Sequence, residues 1–200
     1  DGVDLNRNYD FNWIFGDSLL VPGASCNSGY FDDYDYYRGM YPSSESEVQS
    51  IIDFAVEKNF LLSMAYHSSR SGCVDRFVIY PWAWKDKNGE SQREYSPGFP
   101  VIERLGEDIA ELAGISYVHT GSSYRKGNAH DWLYRETGCI QYLVEVGYDE
   151  TSTGNYADSQ DENGLLIEFD HLDEILESQM DAFFHLLLRA AGGLNQLNAL

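Results

Sequence analysis

Basic residues are scarce in this 200-residue chain: Lys and Arg number 13 against 33 Asp and Glu, a net charge of −20. That balance argues against nucleic acid and anionic membrane surfaces as partners, because both are held through a basic footprint. Long apolar runs are absent as well, and none approaches the roughly 20 residues of a membrane span. Proline occurs only five times, no tract is of low complexity, and 43% of residues are apolar, which argues against a disordered chain. The length suits one domain with a sizeable core. The chain opens at Asp1 without an initiator Met or a signal stretch, and so reads as the later part of a longer protein. Cysteine is sparse too. Cys26, Cys73 and Cys139 have no metal-type spacing, and the odd count fits one disulfide plus a thiol, a partner upstream, or three reduced thiols.

The apolar periodicities that are present alternate between two kinds. Val48, Ile51, Ile52 and Ala55 share one face of a helix over 43–58, with Ser44 and Glu47 at capping-box spacing. The uniform apolar run Phe60 to Tyr66 reads as a strand buried on both faces. Residues 76–82 read as a strand stopped by Pro81, 100–113 as a helix, 116–120 as a short strand and 139–147 as a central strand. A long helix over 168–191 has Leu172, Ile175, Leu176, Gln179, Met180, Phe183 and Leu187 as its inner stripe. Strands alternating with helices predict an α/β domain with a mixed, mainly parallel central sheet and helices on both faces. Residues 10–42 and 148–167 lack periodicity. Their carboxylates have no EF-hand-type spacing and read as solvated acidic loops rather than calcium sites.

Three features carry chemistry. Glu145 lies in the apolar run Gln141 to Val146, where an unpaired charge costs several kcal/mol, so it pairs with a cation or sits at the strand's open end. The carboxyl ends of parallel strands form the ligand crevice of α/β sheets. His67 directly follows the apolar strand and suits a metal ligand, a base or a hydrogen-bonded structural histidine. Asn6-Arg7-Asn8 sets a fork of donors suited to a carboxylate.

Taken in order, the motifs resemble the zinc carboxypeptidases of the carboxypeptidase A and T kind. Gly2 to Tyr9 resembles that family's Asp-x-Asn-Arg-Asn segment, and Arg38-Gly39 with Pro42 to Glu45 its entry to a helix. Ala65-Tyr66-His67-Ser68 is similar to its strand ending in a zinc ligand, followed by Tyr80-Pro81-Trp82. Ser123-Tyr124, Asp131-Trp132 and Leu143-Val144-Glu145-Val146 are similar to its tyrosine loop, its pocket loop and its catalytic strand.

The resemblance implies hydrolysis of the C-terminal residue of peptides. His67 would bind zinc, and Glu145 would act as general base and acid. Asn6 and Arg7 would hold the terminal carboxylate, Tyr124 would close over the peptide end, and His130 would lie at the base of the side-chain pocket. With Arg125 nearby, a histidine there favours polar or acidic C-terminal side chains. The family's His-x-x-Glu pair is missing: of the five His, only His171 has Glu three residues on, at Glu174, after the catalytic strand. The other zinc ligands are therefore expected upstream of Asp1. The 200 residues would be the C-terminal portion of one catalytic domain, inactive by themselves. Secretion or a periplasmic location is expected. The alternatives are a hydrolase of cell-wall (peptidoglycan) stem peptides, and a module that binds peptide ends without cutting. The last predicts loss of Glu145, which is present.

Overall fold

A computed structural model describes residues 2–15, 37–68, 77–85, 93–115, 117–120, 127–146 and 172–192. Tyr124, Arg125, Cys26, Cys73 and His171 lie outside the described residues. The architecture is α/β, with helices and a mixed sheet. The elements are α1 Ser46–Lys58, β1 Leu62–Ser68, β2 Phe77–Tyr80, β3 Ala83–Lys85, β4 Arg93–Tyr95, α2 Phe99–Leu112, β5 Tyr117–Thr120, α3 Ala129–Thr137, β6 Ile140–Val146 and α4 Leu172–Gly192. They fall into two compact units. The first comprises Asp1–Ser63, Tyr80–Phe99 and His119–Gln141; the second comprises Met64–Ile79, Pro100–Val118 and Tyr142–Leu200.

In the first unit, Tyr9, Phe11, Val48, Ala55, Trp132, Leu133 and Cys139 form one buried cluster, with Ile52, Trp82 and Ala129 packed on it. Its aromatic rings meet tilted, Phe11 with Trp82 at 5.0 Å and Trp82 with Tyr134 at 5.7 Å between centroids, as the ring quadrupoles favour. Asn8 fastens the chain start to α1. Its Nδ2 donates to the carbonyls of Arg38 and Tyr41 and to Ser44 Oγ, and its Oδ1 accepts from Glu45 N–H. This replaces the capping box expected of Ser44 and Glu47. Ser44 accepts from Asn8 and so stays outside the helix, which starts two residues later with Glu45 as its N-cap and no side-chain cap bond. Asn59 ends α1 in the left-handed region at φ +52°, a conformation Asn tolerates. β3 and β4 form an antiparallel pair with Trp84 opposite Glu94.

The second unit holds most of the four-stranded sheet, in the order β1-β6-β2-β5, with β2 and β6 antiparallel and Val78 opposite Val144. β6 has neighbours on both sides, and Tyr142, Leu143, Val144 and Glu145 are all buried. β1 ends the described order, and Phe60 and Leu61 before it and Tyr66 within it are exposed. Burial on both faces, expected from its apolar run, is therefore not found. Of the four residues whose spacing puts them on one side of α2, Ile102, Leu105 and Ile109 are buried but Leu112, at the helix end, is exposed, and the Tyr142 hydroxyl donates to the Ile102 carbonyl at 2.9 Å. The stripe of α4 is rotated from the expected one: Ala182 and Leu186 are buried, whereas Leu176, Met180, Phe183 and Leu187 are exposed. An ion cluster accompanies this rotation. Asp108 of α2 accepts from Arg189 at 2.9 Å and lies 3.3 Å from His185 Nε2, both on α4.

Candidate functional site

The first unit builds a polar corner around Arg7. Asp4 caps a single 3₁₀ turn, Leu5–Arg7, by accepting from Asn6 N–H at 3.0 Å. The turn places Asn6 and Arg7 at the start of α3. Asn6 Oδ1 accepts from Ala129 N–H at 2.9 Å, one of the backbone donors left over at a helix start. That bond fixes the orientation of the Asn6 amide. Arg7 is buried. Its Nη1 donates to the Asn6 carbonyl at 2.6 Å and to Asn128 Oδ1 at 2.7 Å, and its Nε lies 3.8 Å from Asp4 Oδ2.

Gly127 allows this closeness. It sits at φ +75°, and a Cβ there would fall on Arg7's carbonyl oxygen. Its backbone donates to the Phe11 carbonyl and accepts from Tyr9 N–H. The first turn of α3 then supplies buried polar groups. Asp131 accepts from Trp82 N–H and from Asn128 Nδ2, each at 3.0 Å, and His130 Nε2 lies 3.6 Å from Asp131 Oδ2. Ala129, Trp132 and Leu133 form the inner face of this nine-residue helix, and the Asp131-Trp132 motif points to it from sequence. Asn128 carries no sequence signal at all.

His67 and Glu145 belong to the second unit. His67 is the next-to-last residue of β1 and half-buried; Glu145 is the next-to-last of β6 and buried. The two strands are neighbours in the sheet. Among the described residues, no group of three or more His, Cys, Asp or Glu is arranged to hold a metal ion. A catalytic zinc takes about three protein ligands, so the described residues do not build such a centre by themselves.

Comparison with known proteins agrees with the family resemblance. A family model described as zinc carboxypeptidase matches residues 1–182. Carboxypeptidase A2 of Mus musculus is 31% identical over 159 residues, 72% of this chain and 34% of its own length. Carboxypeptidase A1 of Bos taurus is 29% identical over 160 residues, 78% of this chain and 33% of its own. Among solved structures, one described as thrombin activatable fibrinolysis inhibitor matches with TM-score 0.49 and 21% identity, over 76% of this chain and 35% of its own. The chain thus spans about a third of the length of these curated relatives.

Proposed function

Because this chain belongs to the zinc carboxypeptidase family, we propose that the protein containing it hydrolyses the C-terminal peptide bond of peptides in a zinc-dependent way. One observation carries the reading: a buried arginine whose guanidinium is fixed on Nη1 by Asn6 O and Asn128 Oδ1, with Asp4 Oδ2 at 3.8 Å from Nε, in a chain of net charge −20. The planar fork of a guanidinium fixed in this way suits a carboxylate. A hydrolase confined to the chain end must recognise a free carboxylate. Asn6 and Arg7 have the donors for it, and Tyr124 and His130 are assigned to the peptide end and its side-chain pocket.

Glu145 is the residue proposed to take a proton from water and return it to the leaving amine. His67 is proposed as one zinc ligand, with the rest supplied from outside the described residues. Zinc, when bound, would lower the pKa of a nearby water and so make its proton available at neutral pH. The chain is read as the C-terminal portion of one catalytic domain, and a secreted or periplasmic location forms part of the same proposal. No described helix is long and apolar enough to cross a membrane.

The test uses the full-length, zinc-loaded protein and a blocked dipeptide. Release of the C-terminal amino acid should fall by about 10²–10⁴-fold in Glu145→Gln, the range of general-base loss, with bound zinc unchanged. The matching C-terminal amide should not be cut. Equal cleavage of acid and amide, or full activity in Glu145→Gln, would sink the reading. Cell-wall stem peptides, which also end in carboxylates, serve as the comparison substrate.

A further inference from the structure

We infer that Asn128 and Asp131 are positioning residues for substrate recognition. They form a relay that runs from a buried carboxylate through a neutral amide to the guanidinium of Arg7, and it sets the direction in which that cation meets the substrate. The inference rests on the reading of Arg7 as the carboxylate anchor.

The chemistry fixes the relay's polarity. Arginine only donates and an ionised carboxylate only accepts. An amide between them has one workable orientation, with Oδ1 toward Arg7 at 2.7 Å and Nδ2 toward Asp131 at 3.0 Å. The flipped amide would face a donor with a donor and an acceptor with an acceptor. Asp131 is itself fixed by Trp82 N–H at 3.0 Å, so the relay ends on backbone.

The intervening amide carries the orientation set by Asp131 to Nη1 of Arg7, whose Nε also lies 3.8 Å from Asp4 Oδ2. A second observation separates this role from simple helix capping. Asn128 occupies the N-cap of α3, where an Asn side chain ordinarily accepts from the amide of the second or third helical residue. Its side chain makes no such bond. The oxygen is given to Arg7, and the leftover Ala129 amide is taken by Asn6, the other residue of the anchor. The start of α3 thus orients both carboxylate-binding side chains.

The test is a double-mutant cycle in the full-length, zinc-loaded protein, read as KM and kcat on a blocked dipeptide acid. Asn128→Ala should raise KM about tenfold and change kcat less than about threefold, since ground-state binding of the carboxylate is what it loosens. Combined with Arg7→Ala, it should raise KM no further than Arg7→Ala alone, because the relay acts only through Arg7. A structural role would instead add its loss in the Arg7→Ala background. Should Asn128→Ala fail to fold, the isosteric Asp131→Asn carries the same cycle. It meets the Asn128 NH₂ or the Trp82 N–H with a second donor, and should give the same KM pattern. If Arg7→Ala raises KM but both relay variants keep the parent KM, or if their effects add, the inference is overturned. If Arg7→Ala itself leaves KM unchanged, the anchor reading has failed first, and this inference falls with it.

Discussion

Gly127 and Gly138 form a matched pair that tests how the polar corner around Arg7 is held. Both sit at φ +75°, so alanine at either pays the same left-handed penalty of about 1–2 kcal/mol. They differ in what the new Cβ meets. At Gly138 nothing lies within 4 Å; at Gly127 the Cβ falls on the Arg7 carbonyl oxygen, 2.6 Å from its carbon and 3.2 Å from its Cα. These are backbone atoms, which no rotamer change can move. The two segments must part by about 1 Å to regain ordinary contact. That separation strains the bonds from Tyr9 N–H to Gly127 O at 3.1 Å and from Gly127 N–H to Phe11 O at 3.0 Å, each worth about 1 kcal/mol. Gly127→Ala should therefore cost about 3–4 kcal/mol, and Gly138→Ala about 1–2 kcal/mol. Urea unfolding of the full-length protein, compared at equal m, reads the difference. Gly127→Ala should also raise KM for a carboxylate substrate, since Arg7 moves with its carbonyl, while Gly138→Ala should not. Equal stability losses in the two variants would refute the close approach.

Three further outcomes are expected. Burial pushes the Cys139 thiol up from 9.0 to about 11 and the Tyr9 hydroxyl up from 10.0 to about 12. The folded protein thus holds these protons more tightly than the unfolded chain, and the stability they contribute is full below about pH 9 and lost as pH rises from there toward 12. A urea midpoint that stays flat across that window would contradict this, as would native-state labelling of Cys139 by a thiol reagent at neutral pH. Burial alone would raise the Asp108 carboxyl, but hydrogen bonds from Arg189, Arg104 and His185 outweigh it and hold it below 3.8. Its contribution is therefore present above that value and lost as pH falls below it. Asp108→Asn should lower stability by about 1 kcal/mol at neutral pH and flatten the acid side of the profile; unchanged stability at both ends would exclude the cluster as a support. Finally, His67→Ala in the full-length protein should lower zinc per chain in elemental analysis, and an unaltered value would remove His67 from the proposed ligand set.

The sequence by itself determined the alternation of strands and helices, the buried character of β6 and the family, because these depend on local periodicity and on short motifs that keep their order along the chain. Ile102, Leu105 and Ile109 are buried as their spacing predicts, since a helix that covers an apolar core shows its period directly. Only the tertiary structure decided which face of α4 turns inward. Periodicity favours Leu176, Met180 and Phe183, but His185 and Arg189 meet Asp108, 77 and 81 residues away in the chain. The same holds for the corner around Arg7. Asn8 is plain in the motif, yet its task of fastening α1 is set by partners 30 to 37 residues on. Asn128 meets Arg7 across 121 residues, and no local pattern records a bond of that span. Hydrogen bonds between distant residues depend on where the backbone brings their donors and acceptors, and that placement exists only once the chain has folded.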